Sequence, residues 1–203
     1  MEGTAAPARR RDRRHERHEA TRREILDAAW GLARAEGVAA LSLRGAARAV
    51  GMEPQSLYSY FDSKHALYDA MFAEANSELL GRLQALPEPD DPLEGLRRRA
   101  HVFTEFCIED TARYQLLFQR SIPGFEPSAA SYAIARQVLD GTCRLLAAAG
   151  LSDDVHLEVW TSITSGLVSQ QIANDPGGRR YVRHLDDVVA MYLNHFLPRR
   201  RGQ

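Results

Sequence analysis

The segment from Leu57 to Leu67 gathers the side chains in this chain best suited to hold a phosphate: Leu57, Tyr58, Ser59, Tyr60, Phe61, Asp62, Ser63, Lys64, His65, Ala66 and Leu67. Lys64 is the only lysine, against 25 arginines. It stands in what reads as the first turn of a helix, where the helix dipole disfavours a cation. A bound anion would resolve that conflict, because first-turn N–H groups and the ammonium could share one phosphate. Tyr60, four residues earlier, has a hydroxyl that can donate to a phosphate while its ring packs on the scaffold. Leu57 and Phe61 are spaced to fill the core beneath. Taken singly, Tyr58 and Tyr60 read as surface aromatics and Lys64 as a solvated charge. Their order, after a capped helix and a glycine turn, favours contact with nucleic acid.

The elements that must position these residues can be read outward from them. Thr21-Arg22-Arg23-Glu24 has the form of a capping box, so a first helix is expected from Thr21. Ile25, Leu26, Ala29, Leu32 and Ala33 then recur at helical spacing, and Gly37 ends the run. Ser42 is a candidate N-cap for a second helix that turns Ala46, Ala47 and Val50 inward. Gly51 supplies a turn residue that tolerates positive φ, and Pro54 suits the first turn of a third helix. A fourth helix should start at Asp62 or Ser63 and carry Leu67, Met71, Phe72, Ala75 and Leu79 inward. It must stop before Leu86-Pro87-Glu88-Pro89-Asp90-Asp91-Pro92, the strongest break in the chain. Beyond this break the pattern predicts helices near 92–109, 111–119, 127–149, 152–173 and 178–197. No strand-like alternation or hairpin signal occurs, so the expected fold class is all-α.

Composition narrows the function classes. Residues 1–66 carry 12 basic and 9 acidic side chains, whereas residues 67–203 carry 14 and 18. The first part is therefore the one that could hold a polyanion. Residues 1–20 are rich in arginine and nearly free of apolar side chains. They read either as a flexible arm following the DNA backbone or minor groove, or as a solvated tail. Arg199, Arg200 and Arg201 form a second basic tail, most simply solvated. Cys107 and Cys143 lie far apart, with no metal-ligand spacing beside them, and read as small buried hydrophobes in a reducing, cytoplasmic setting. No apolar run approaches the length of a membrane span, and the N-terminus lacks the apolar core of a secretory signal. No metal or cofactor is expected.

The run from Ser42 to Lys64, with Gly51, Pro54, Leu57, Tyr58, Tyr60 and Phe61 in order, resembles the DNA-binding domain of the TetR family of transcriptional regulators. The resemblance covers about residues 21–72. It implies an all-α homodimer whose three N-terminal helices bind a double-stranded DNA operator and whose larger helical domain binds a small-molecule effector and dimerises. Carried over by position, Pro54, Gln55 and Tyr58 face the major groove. Ser42, Ser56, Ser59, Tyr60 and Lys64 lie at phosphate-contacting positions, and Arg44 reaches either a phosphate or a guanine. Glu53 departs from the Ser or Thr common there, and Gln55 favours adenine on geometric grounds. The stretch Trp160–Val168, and Ala112–Phe118, are similar to a subset of the family with a Trp-His-Gly signature, Ser165 standing where the His would be.

The implied organisation is a flexible basic arm over 1–20, a helix-turn-helix domain over 21–66, a ligand-binding and dimerisation domain over 67–198, and a basic tail over 199–203. Candidate ligand contacts are Phe72, His101, Phe103, Phe106, Tyr114, Phe118 and Trp160, at least half of which should be plain core, since aromatics at helical spacing are commonly that. Ser162, Gly166 and Ser169 make a small-residue face on one helix; Leu185, Val189, Tyr192 and Phe196 make an apolar face on the last. These two faces would form a four-helix dimer interface, or else pack within the chain. No catalytic set stands out, so an enzyme is not expected. A second domain that binds a protein partner, or has an unrecognised activity, is the alternative to ligand sensing.

Overall fold

The structure is a computed structural model whose backbone is described for residues 6–197 and side chains for residues 13–197. The tail at Arg199–Arg201 lies outside the described residues. Among the described residues nine α-helices follow one another: α1 (Ala6–Glu36), α2 (Leu43–Ala49), α3 (Pro54–Leu57), α4 (Lys64–Gln84), α5 (Pro92–Glu109), α6 (Thr111–Phe118), α7 (Ala129–Ala148), α8 (Asp154–Asn174) and α9 (Leu185–Phe196), with single tight turns at Val38–Ala40 and Val182–His184. The described residues contain no strand, and none of their helices is long and apolar enough to cross a membrane.

Local chemistry sets most of these boundaries. Ser42 accepts from Gly45 N, Ser63 from Ala66 N, Asp91 from Leu93 N, Asp110 from Ala112 and Arg113 N, and Ser128 from Ser131 N. Each such cap satisfies a donor the helix would otherwise leave unpaired, typically worth about 1 kcal/mol. At α8 the Asp153 N–H donates to His156 Nδ1 at 3.1 Å. Pro54 and Pro92 occupy the first turns of α3 and α5, where a missing N–H does no harm.

The start of α1 differs from expectation. The helix begins by Ala6, so Thr21 sits in its interior and forms no N-terminal box, and the expected flexible arm is helical from Ala6 onward. Arginine is a good helix former, and the segment continues an already nucleated helix without needing an apolar stripe of its own. Residues 13–20 are all exposed.

Two apolar clusters hold the molecule. The first joins Ile25, Ala29, Leu57, Phe61, Leu67, Met71, Leu79 and Phe106. The second joins Leu96, Ala100, Leu146, Trp160, Leu185, Val189 and Tyr192. Helix α4, roughly 30 Å long at 1.5 Å per residue, runs from the first three helices into the larger bundle. The expected boundary after residue 66 therefore falls within the first turn of α4, whose Leu67 and Met71 share the core of Ile25 and Leu57.

Candidate nucleic-acid interface and ligand cavity

Helix α2, the turn at Gly51 (φ 66°) and the short α3 form a helix-turn-helix. The Met52 N–H closes the turn on Ala47 O at 2.9 Å, and Leu57 and Phe61 anchor α3 in the core. This leaves Arg44, Gln55, Ser56, Tyr58 and Ser59 exposed and Pro54 half-buried. Gln55, Tyr58 and Arg44 have no side-chain partner among the described residues, so their polar groups are available to a ligand. Ser59 Oγ is turned back on Ser56 O at 2.7 Å. The Tyr60 ring stacks on His18 with centroids 4.6 Å apart, and its hydroxyl has no hydrogen-bond partner among the described residues. The stack places the arginine-bearing start of α1, including Arg14 and Arg17, beside the Tyr60 position.

Lys64 is tied into the scaffold as well. Its ammonium donates to Ala39 O at 3.2 Å and lies 5.3 Å from the centre of the Tyr68 ring. Tyr68 in turn donates to Val38 O at 2.7 Å. Burial pushes the Tyr68 hydroxyl up to about 12, so it stays a donor at any physiological pH. The turn at Val38–Ala40 is thus fastened to α4 from two sides, with the Lys64 ammonium left half-exposed.

Between α4, α5, α6, α7 and α8 lies a cavity of about 340 Å³, largely apolar in lining. Phe72, Phe103, Phe118 and Trp160, four of the seven candidate contacts, face it. The other three expected contacts are elsewhere. His101 points outward and pairs with Asp186, Nε2 to Oδ1 2.8 Å. Phe106 is fully buried between the guanidinium groups of Arg82 and Arg113, 5.3 and 4.6 Å from its ring. Tyr114 packs behind Phe118 and donates to Ser165 O at 3.2 Å. Spacing along a helix fixes which residues face inward but not which inward residue meets a void. Polar groups at the cavity wall escaped the sequence reading: Asn76, Arg99, Thr142 and Thr164. Only a polar residue on an otherwise apolar stripe could have signalled them, and Asn76 and Thr164 do interrupt such stripes.

Residues 25–71, the span that builds this helix-turn-helix, match the family described as bacterial regulatory proteins, tetR family. The helix-turn-helix of this chain is thus similar to the DNA-binding domain of the TetR family. A curated relative, an HTH-type transcriptional regulator of Mycobacterium tuberculosis, is 26% identical over 140 residues. That match covers 67% of this chain and 56% of the relative, so it spans little more than half the length of the curated protein. Among solved structures, a Rhodococcus protein of unknown function superposes with a TM-score of 0.73 at 18% identity, covering 87% of this chain and 95% of its own. A TetR family transcription regulator from Marinobacter aquaeolei gives 0.65 at 19% identity, covering 89% and 97%. At such identities the likeness is one of fold, and it extends over both parts of the chain.

The surface expected to pair two subunits divides in the structure. Leu185, Val189 and Tyr192 are turned into the chain's own core against Leu96, Ala100 and Trp160, and Phe196 is half-buried against Tyr192 and His156. These four are spent on intrachain packing, because the apolar stripe of α9 is the lid of the second cluster. Ser162 and Gly166 are exposed on α8, with Ser169 at their edge, and a side chain added at Gly166 would meet nothing within 4 Å. On α9 the side turned outward carries Met191, which is 70% exposed.

Proposed function

We propose that this chain is a DNA-binding transcriptional repressor of the TetR family, acting in the cytoplasm as a homodimer on a palindromic operator and released by a small, largely apolar ligand. The major groove would be read by Gln55, Tyr58 and Arg44. Lys64, Tyr60, Ser42, Ser56 and Ser59 would hold phosphates. The helical start of α1 would add arginine contacts beside Tyr60. Dimerisation would use the outward side of α8 around Ser162 and Gly166, together with the Met191 side of α9.

The observation that carries ligand control is the placement of α6. Leu117 and Phe118 at its end line the cavity, while its N-cap, Asp110, holds α1. Asp110 Oδ2 accepts from Arg34 Nε at 2.8 Å, and Asp110 is buried. A ligand that displaces Phe118 therefore acts on an element bonded directly to the DNA-binding part. To release DNA it must bind the displaced arrangement more tightly, because equal affinity for both shifts nothing. A 100-fold loss of operator affinity needs about 2.7 kcal/mol of coupling, within the usual allosteric range.

Selection of bound fragments from genomic DNA, followed by footprinting, tests the reading. Two protected half-sites related by a dyad are expected, with affinity falling steeply as salt rises. Protection of one asymmetric site, or binding indifferent to salt, would overturn it.

A further inference from the structure

Arg99 forms part of the cavity wall and also of the wall of a polar groove on the far side, between α4, α5 and α7. Its Nε donates to Thr142 Oγ1 at 3.1 Å and its Nη2 to Val138 O at 2.7 Å. Both acceptors are neutral. Among the described residues Arg99 has no carboxylate partner, whereas its neighbours Arg97 and Arg98 both pair with Glu94. Glu88 and Asp140 line the polar groove but form no ion pair with it. Burial, with Arg144 nearby, lowers its proton affinity below the ordinary arginine value. A half-buried cation without a counter-charge is costly, and a bound anion would offset that cost.

The seat of this guanidinium is built. Gly141 lies in the interior of α7, where glycine costs about 1 kcal/mol relative to alanine. A Cβ there would stand 2.6, 2.7 and 2.8 Å from Arg99 Nη1, Cζ and Nη2. These near-equal distances mean that the guanidinium lies flat over the glycine backbone. With Nε and one Nη2 N–H bonded to α7, both Nη1 N–H groups and the second Nη2 N–H have no acceptor among the described residues. That is the free end of a planar fork, the geometry that takes a carboxylate with two parallel bonds.

We propose that Arg99 is the anion-binding residue of the cavity and that the effector is an amphipathic monocarboxylate, its carboxylate on Arg99 and its apolar body among Phe72, Phe103 and Trp160. This rests on the ligand-released reading above and names the chemical class that reading leaves open. The cavity is at the small end of the range for ligand sites, which favours a short apolar body.

Octanoate and 1-octanol test it at neutral pH, because they share chain length and differ in charge. Binding to the full chain is measured by calorimetry, and by Trp160 fluorescence in a Trp30→Phe background, since Trp30 would otherwise add its own emission. Octanoate should bind at least tenfold tighter than octanol. Arg99→Met should abolish that preference while keeping octanol binding. Gly141→Ala, which pushes the guanidinium off its seat and leaves the charge in place, should weaken octanoate selectively. Equal affinities in the unaltered protein, or equal loss of both ligands in Arg99→Met, would overturn the proposal and leave an apolar effector standing. If neither compound binds or alters operator affinity, the proposal and ligand release by a simple amphipath fall together.

Discussion

On the proposed reading, Lys64 has two functions in one side chain. It fastens the Val38–Ala40 turn through Ala39 O, and its half-exposed ammonium stands at the start of α4 where a phosphate would sit. Replacing it by alanine should weaken binding to all DNA sequences alike. With one phosphate lost per subunit, the log–log salt slope of the dimer should fall by about 2. Gln55 is free and aimed outward, and an amide can pair with two groups on adenine. Gln55→Ala should therefore leave the salt slope alone and change preference at one or two base positions. Competition binding with single-base operator variants at several salt concentrations separates the two effects. A shift in base preference from Lys64→Ala would refute this assignment of roles.

At the scale of elements, α6 is the link between cavity and DNA-binding part. Asp110→Asn removes the charge that holds Arg34 while keeping the size of the cap. Ligand binding should persist, but ligand-driven loss of operator affinity should fall from about 100-fold to less than 10-fold, because the coupling energy has to pass through that contact. Parallel titrations of ligand and operator read this directly. The same corner holds Glu78, which pairs with Arg113 and Arg82, and Glu109, which pairs with Arg82. Burial pushes the Glu78 carboxyl up, but the two guanidinium groups outweigh it and leave it below the usual glutamate value. A carboxylate held lower when folded contributes its stability above the unfolded value and loses it as pH falls through the folded one. Melting temperature should thus hold down to the ordinary glutamate range and drop below it, and Glu78→Gln should flatten that drop. The start of α1 makes a separate prediction: deleting residues 1–16 spares the His18–Tyr60 stack and the core, so the fold should be retained while the salt slope decreases. An unchanged slope would make this stretch a solvated extension only.

At the scale of the whole molecule, the open question is what covers α8. A Cβ added at Gly166 meets nothing within 4 Å among the described residues, and leucine is a better helix former than glycine. Gly166→Leu should therefore leave the monomer fold as stable as before, or more so. If two subunits meet there, the protein should become monomeric by sedimentation and lose operator binding, since one half-site alone is weak. A variant that stays dimeric would move the interface away from Gly166.

Much of the fold was legible because its signals are local. Ser42, Ser63, Asp91, Asp110 and Ser128 cap helices by reaching donors two or three residues on, and Pro92 and Gly51 act through their own backbone. The boundaries of α5 and the helix-turn-helix could therefore be read from the chain alone, as could the exposed set around Gln55 and Tyr58. The start of α1 could not, because a polar helix that continues an apolar one leaves no periodic mark. Nor could the partner of the α9 stripe: the spacing of Leu185, Val189 and Tyr192 says that they are buried, but only the packed chain shows that they close on Trp160 rather than on a second subunit. The cavity belongs to the same class. It is what remains when five helices meet imperfectly, so Phe106 and Phe103, three residues apart on one helix, end respectively in solid core and at a void. Arg99 looked like one of three consecutive arginines in sequence; its unpaired place over Gly141 exists only because α5 and α7 lie side by side.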